Sequence, residues 1–167
     1  FGSTTLTATG SSTNIFVAKL DANGNWLWAI HAGMGNDNDE GRSLTLDGSG
    51  NAIVTGCFRG SANFGSLAIT SNGEDDIFVA KTSSGGNWLW AKQAGGVEQD
   101  RVYGVTLDSG GNIWLTGLYN STATFGDTNL TSMGGSDIFV AKLDFSGNWL
   151  WAKSAGGIQP DEGRDLV

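Results

Sequence analysis

The chain has 167 residues, of which 39% are apolar, 27 are glycine and one is proline. It carries 9 basic and 17 acidic residues, which gives a net charge of −8 and a pI near 4.3. This composition excludes a disordered chain and is typical of short strands joined by tight turns. The acidic balance excludes a nucleic-acid partner, which would need clustered Lys and Arg. No apolar run is long enough to cross a bilayer, so we expect no membrane insertion.

An internal repeat organises the whole chain. The segment IFVAK begins at Ile15, Ile77 and Ile138, which sets a period of about 61 residues. Each IFVAK is followed by NWLWA, so that a pair of tryptophans recurs in every copy. These pairs are Trp26 and Trp28, Trp88 and Trp90, and Trp149 and Trp151. Such repeats stack, because each unit buries its faces against its neighbours.

In chain order, residues 13–33 contain two predicted strands, IFVAKL and NWLWA. Residues 41–95 contain four, namely SLTLD, NAIVTGCF, IFVAKT and NWLWA, and residues 102–156 repeat this order. Turns such as DGSGN join strands as tight hairpins, because Gly adopts a positive φ without strain. A longer polar loop with a Phe-Gly pair is predicted between the second and third strands. Each unit is therefore predicted to be a meander of four antiparallel strands.

Both faces of these strands are apolar. Alternate residues point to opposite faces, so Phe16 and Leu20 share one face of IFVAKL and Ile15 lies on the other. In NWLWA, Trp26 and Trp28 are expected to share one face. A sheet with one wet face would alternate apolar and polar residues instead. Stacking sheets face to face in a ring covers both faces, which predicts an all-β fold of β-propeller blades; a β-solenoid is the alternative, but its period would be shorter.

The segments GVTLDSGGNIWLTGLYNS, GGSDIFVAKLD and SGNWLWAKSAGG resemble, in order and spacing, the bacterial SBBP family of β-propeller repeats over essentially the whole chain. The resemblance implies a propeller fold in a secreted or surface-exposed bacterial protein and carries no known catalytic residues. By analogy with other propellers, GVTLD would be the innermost strand of a blade and NWLWA the outermost. The chain then divides into outer strands of one blade (1–40), two blades (41–101 and 102–162) and the start of another (163–167). Two blades and a remainder do not close a ring, so we expect a fragment of a longer propeller protein, or a subunit completed by other copies.

Three acidic residues align in the loop that follows the tryptophan strand. They are Asp39, Asp100 and Asp161, each just before a predicted innermost strand, so that all three lie on one face of the ring. One interpretation is that they cap backbone amides or pair with Arg42, Arg101 and Arg164. The other is a ring of carboxylates that binds a cation such as Ca²⁺ or a polar ligand. The structural interpretation is favoured, because Asp is common at strand-entry turns.

The repeats provide no catalytic constellation. The one histidine, His31, is replaced by Gln93 and Ser154 in the other copies, and the one cysteine, Cys57, lies in an apolar run and is predicted to be buried. We therefore expect no enzyme but a structural or protein-interaction module of an extracellular or cell-surface bacterial protein, used in adhesion or assembly. Its expected partners are repeats or copies of the same protein that complete the ring, or surface proteins or glycans. The alternative is a glycan-binding propeller with repeated loop sites; the six paired tryptophans are interpreted as packing between blades.

Overall fold

The computed structural model describes residues 1–8, 13–34 and 37–167. These residues form 14 strands and no helix, and every strand pairing is antiparallel, which confirms the predicted all-β class. Within the described ranges, no helix is available that could span a membrane. The predicted segment 1–40 and the loop 33–42 are covered only in part, since residues 9–12 and 35–36 lie outside the described residues.

The strands fall into three successive units. The first unit has two paired strands, β1 (Ile15–Leu20) and β2 (Trp26–Ala32). The second unit contains β3 (Glu40–Leu46), β4 (Ala52–Phe58), β5 (Ser61–Phe64), β6 (Leu67–Thr70), β7 (Asp76–Thr82) and β8 (Trp88–Gly96). The third unit contains β9 (Arg101–Leu107), β10 (Ile113–Tyr119), β11 (Thr122–Phe125), β12 (Thr128–Thr131), β13 (Asp137–Leu143) and β14 (Trp149–Ala155).

The four predicted strands of the second and third units lie side by side in chain order. The sheet order is β3-β4-β7-β8 in the second unit and β9-β10-β13-β14 in the third. The SLTLD-type and NWLWA-type strands are therefore at opposite edges of these four strands. Residues 163–167, predicted to begin a further innermost strand, have no strand partner, and the Gly163 N–H donates to the Gly117 carbonyl at 3.2 Å.

The segment predicted as a polar loop is instead a β-hairpin in each unit. Strands β5 and β6 pair with each other, as do β11 and β12. The Phe of the Phe-Gly pair ends the first strand of each hairpin, and Phe64 and Phe125 are completely buried. Each ring meets the first tryptophan of its unit edge to face, with centroids 5.0 Å apart for Phe64 and Trp88 and 5.5 Å for Phe125 and Trp149. The sequence did not predict these hairpins because only alternate positions of a short strand face the core, and the remaining positions are mostly polar, as in a loop.

The Gly-Gly pair that follows the tryptophans of the second unit continues the strand rather than forming a turn. Gly95 and Gly96 belong to β8, where they pair with Thr124 and Ala123 of the third unit's hairpin. A Cβ on Gly96 would lie 1.9 Å from the Thr122 carbonyl oxygen, so only glycine permits this approach. The pair is thus a junction where the backbone of one unit hydrogen-bonds to the next.

The expectation that paired tryptophans share one face of the strand was also wrong. Trp26 pairs with Leu20 and Trp28 with Lys19, so one step along β1 matches two along β2. This β-bulge turns the two rings to opposite faces. The same irregularity recurs in the other two units. An extra residue in a ladder cannot be recognised from alternation alone, which explains the error.

Two apolar clusters fill the spaces between successive sheets. One joins β1 and β2 to one face of the second unit, through residues such as Ile15, Val54 and Phe78. The other joins the opposite face of the second unit to the third, through residues such as Ile53 and Leu115. Both faces of β4 and β7 are therefore covered by neighbouring units, as the apolar pattern on both faces of these strands predicts.

Candidate functional site

The predicted hairpin turns are confirmed, and their aspartates are structural. Asp47 Oδ1 accepts from the N–H groups of Ser49 and Asn51 at 2.9 and 3.0 Å, and Oδ2 accepts from the Asn51 side chain. Lys81 Nζ lies 3.0 Å from Asp47 Oδ2. Although burial opposes it, this set of bonds from Asn51 and Lys81 holds the pKa of Asp47 well below its usual range.

The same arrangement recurs at Asp108 in the third unit. Its carboxylate accepts from Asn112 and lies 2.9 Å from Lys142 Nζ, and these contacts lower its pKa. Trp114 donates its indole N–H to Asp108 Oδ2, and the Lys142 ammonium lies 4.7 Å from the centre of the Trp114 ring. The turn carboxylates are therefore occupied by partners within their own unit.

Each of the three aligned aspartates hydrogen-bonds to backbone amides. Asp100 is completely buried; its Oδ2 accepts from the Gly96 N–H at 2.7 Å, and its Oδ1 accepts from the Asn120 N–H at 3.0 Å. It thereby ties the end of β8 in the second unit to the end of β10 in the third. Asp39 Oδ2 accepts from the Met34 N–H at 3.3 Å, and Asp161 Oδ2 from the Gly157 N–H at 3.0 Å.

These aspartates do not pair with the arginines near them. Arg42 pairs with Glu40, Arg101 with Asp75, and Arg164 with Glu162. In the described part of the chain, no three His, Cys, Asp or Glu side chains converge as metal ligands. Cation binding at Asp39, Asp100 and Asp161 stays a prediction, whereas the amide contacts are what the structure places there.

A second buried carboxylate, which sequence reasoning missed, accompanies Asp100. Asp76 begins β7 and is completely buried; its Oδ2 accepts from the Asn72 N–H at 2.9 Å, and its Oδ1 has no hydrogen-bond partner. Gly95 separates the two groups, since a Cβ there would lie 2.7 Å from Asp76 Oδ1 and 2.9 Å from Asp100 Oδ2. Burial raises the pKa of Asp76 to about 6 and that of Asp100 to about 7, and the nearby charge of Asp76 further raises the pKa of Asp100.

Asp137 is the equivalent of Asp76 in the third unit, and its Oδ2 accepts from the Met133 N–H. Burial also raises the pKa of Asp39 to about 6. An Asp directly before the IFVAK segment is the sequence signal that was available for Asp76 and Asp137. It passed unnoticed because the first copy has Asn14 at that place.

Three of the paired tryptophans contact backbone groups of neighbouring units. The Trp28 indole N–H donates to the Ser84 carbonyl at 3.0 Å, and the Trp88 indole N–H donates to the His31 carbonyl at 3.2 Å. Trp90 packs against the turn of the third unit, where a Cβ on Gly147 would lie 3.0 Å from the ring. Trp26 is the most exposed of the six and packs edge to face against Phe1.

A polar cavity of about 310 Å³ lies where the second and third units meet at the beginning of β3 and β9. Its charged lining consists of Arg42, Arg59, Arg101, Asp37, Glu40 and Asp75. Asn38 and Cys57 complete it; Cys57 is buried, as predicted, and burial raises the pKa of its thiol. Sequence reasoning placed the candidate ligand site at the neighbouring aspartates and missed this cavity, because its charges come from four separate segments.

Side chains at one repeat position stack along the inner strands next to this cavity. Arg42, Tyr103 and Arg164 occupy the same position in successive units. The Arg42 guanidinium lies 5.5 Å from the centre of the Tyr103 ring, and that of Arg164 lies 4.6 Å from it. Guanidinium groups are attracted to aromatic faces, so Tyr103 orients an arginine on each side.

No family model matches the chain. The chain is similar to an uncharacterized WD repeat-containing protein of Acanthamoeba polyphaga mimivirus, with 30% identity over 178 aligned residues. The match includes 92% of this chain but spans only 12% of the length of that protein. Together with the stacked antiparallel sheets, this likeness supports a β-propeller-like repeat protein.

Proposed function

We propose that the chain is a non-catalytic structural and interaction module, built of four-stranded propeller blades that assemble with further units of the same kind. The observation that supports this proposal is a difference in exposure between two equivalent positions of the repeat. Val105 on β9 is 8% exposed because β3 and β4 of the second unit pack on β9, whereas its equivalent Leu44 on β3 is 58% exposed. A unit resembling β3 and β4 would cover Leu44 in the same way.

The surface around Leu44 is apolar, as are the buried surfaces between the units. Phe16 and Leu20 of β1 and Leu46 of β3 are also exposed there, and β1 has an unpaired edge. Exposed apolar patches with an open strand edge are docking surfaces. The occupant we propose for this chain is an inner strand pair from a second copy of it.

Sedimentation velocity over a range of protein concentrations tests this assembly. We expect the wild type to self-associate and Leu44→Lys to shift the equilibrium toward monomer, because a buried lysine would oppose the contact. Leu89→Lys is the control, since Leu89 is 49% exposed on β8, away from this surface. A wild type that stays monomeric at every concentration and unfolds in one step would contradict the proposal.

The cellular location of the protein is part of the same proposal. An extracellular or cell-surface bacterial protein, with a role in adhesion or assembly, is supported by the resemblance of the repeats to the SBBP family. Protease protection on intact cells, probed with an antibody to the chain in its native host, tests it: digestion from outside is expected, and full protection would count against it.

Glycan binding is a second candidate function, and the polar cavity favours it. Ligand cavities have volumes of about 300 Å³ or more and place a few polar groups with defined orientation. The cavity between the second and third units meets both conditions, with arginines as donors and carboxylates as acceptors.

A further inference from the structure

The polar cavity has donors that are held in place before any ligand arrives. Asp75 Oδ1 accepts from Arg59 Nε at 3.0 Å, and its Oδ2 accepts from the Gln99 side chain at 2.8 Å. Arg42 is fixed by Glu40 at 2.6 Å and by the face of Tyr103. Guanidinium groups that are already oriented lose less entropy when they bind a further acceptor.

Arg101 is the incompletely satisfied member of the lining. Its Nε is buried and has no hydrogen-bond partner, and its contact with Asp75 Oδ2 is long, at 3.4 Å. The guanidinium is therefore only weakly paired, while 32% of the side chain stays exposed and lines the cavity. A carboxylate can accept two parallel hydrogen bonds from a guanidinium group.

The position of Arg101 distinguishes this cavity from the equivalent places in the other repeats. Glu40 and Glu162 occupy the corresponding positions of the neighbouring copies. Among these three copies, an arginine is therefore found here only in the third unit, at its contact with the second. It brings a third guanidinium beside Arg42 and Arg59. An arginine in place of glutamate reverses the charge at this repeated position. It therefore alters the chemistry of this cavity, while the fold of the third unit remains the same as that of the second.

The acidic members of the lining restrict the ligand. Asp37, Glu40 and Asp75 would repel a multiply charged anion, but their oxygens accept hydrogen bonds from hydroxyl groups. We propose that the cavity binds a sugar acid: its carboxylate on Arg101 and its hydroxyls on the carboxylates and Asn38. This deepens the proposed interaction function by naming a ligand class for it.

Isothermal titration with D-galacturonate, D-galactose, acetate and N-acetylaspartate amide tests the inference at neutral pH. Galacturonate is expected to bind with a dissociation constant on the order of millimolar, and each of the other three at least about tenfold more weakly, because each lacks the hydroxyls, the carboxylate or the ring. Equal binding of galactose would show that Arg101 is not the anchor, and tighter binding of the aspartate derivative would favour an acidic peptide; either result overturns the proposal, as does no binding.

Variants locate the site. Arg101→Glu installs the residue that both other repeats carry here, so the fold is expected to persist while galacturonate affinity falls at least about tenfold. Arg101→Lys keeps the charge but not the planar donor pair, and a similar loss is expected. Arg164→Lys, outside the cavity lining, is the control and should bind as the wild type does. Unchanged binding by Arg101→Glu would refute the site, whereas self-association, measured separately through Leu44, would be untouched by that result.

Discussion

Titration of Asp100 is expected to make the protein less stable as the pH rises. The folded state holds this buried carboxyl with a pKa of about 7, whereas an unfolded Asp titrates near about 3.9. A group whose pKa is raised on folding contributes stability that is complete below its unfolded pKa and is lost as the pH rises through its folded pKa. The window therefore runs from about pH 4 to about pH 8, which covers these two values.

The magnitude follows from the two pKa values. Between about pH 5 and about pH 8, Asp100 alone is expected to reduce the free energy of unfolding by about 2.5 kcal/mol. The complete burial of the side chain justifies the conversion, since water does not screen it. Asp39 and Asp76 shift in the same direction, so the total decrease for the wild type is larger.

Urea unfolding of the wild type and of Asp100→Asn at both pH values isolates this group. The variant should lose less stability than the wild type over the interval, by about 2.5 kcal/mol. Asp108→Asn is the control: because its pKa is lowered on folding, its contribution disappears only at more acidic pH, and its decrease should equal that of the wild type. Equal decreases for the wild type and Asp100→Asn would refute the reasoning.

Calcium tests the other interpretation of the same carboxylate. If Ca²⁺ occupies the aligned aspartates, adding it at about pH 8 restores stability to the wild type by mass action but not to Asp100→Asn. We expect no such difference, because both Asp100 oxygens already accept backbone N–H groups. A calcium-dependent recovery confined to the wild type would make the cation site the better account.

Three further substitutions test the packing and the turns by urea unfolding. Phe125→Ala should lower the free energy of unfolding by about 3–5 kcal/mol, because the buried ring fills the space between units, whereas Phe1→Ala, at the exposed equivalent position, should cost about 1 kcal/mol or less; equal losses would show that the hairpin ring is not part of the core. Ser83→Asp should stabilise by about 1 kcal/mol, since it supplies the turn carboxylate that the other hairpin turns possess; a loss would mean that this turn differs. Gly117→Ala should cost about 3 kcal/mol or more, because its Cβ would lie 1.9 Å from a carbonyl oxygen of β9, while Gly48→Ala, with open space around it, should change stability by less than about 0.5 kcal/mol; similar values for the two would contradict the close approach.

Much of the fold was predictable because it depends on local rules that repeat. Apolar residues on both faces of IFVAK require sheets to be covered on both sides, and the turn chemistry of DGSGN determines which strands are neighbours. A period in the sequence then extends each rule to every unit. The aligned aspartates were found for the same reason, since three copies of one position stand out.

Other features depend on contacts between distant segments. The bulge that separates the paired tryptophans, and the hairpin that joins one unit to the next through Gly95 and Gly96, arise from backbone pairing that no alternation pattern records.

The polar cavity also depends on contacts between distant segments. Glu40, Arg59, Asp75 and Arg101 lie on four separate segments, and only the packing of one unit against the next brings their charges together. The sequence by itself determined the strands of the repeated motifs, their turns and the need to cover both faces of each sheet, because these follow from residues close in the chain. The tertiary structure decided which side chains of neighbouring units meet, and therefore where the polar cavity lies, because desolvation and charge pairing depend on distance in space.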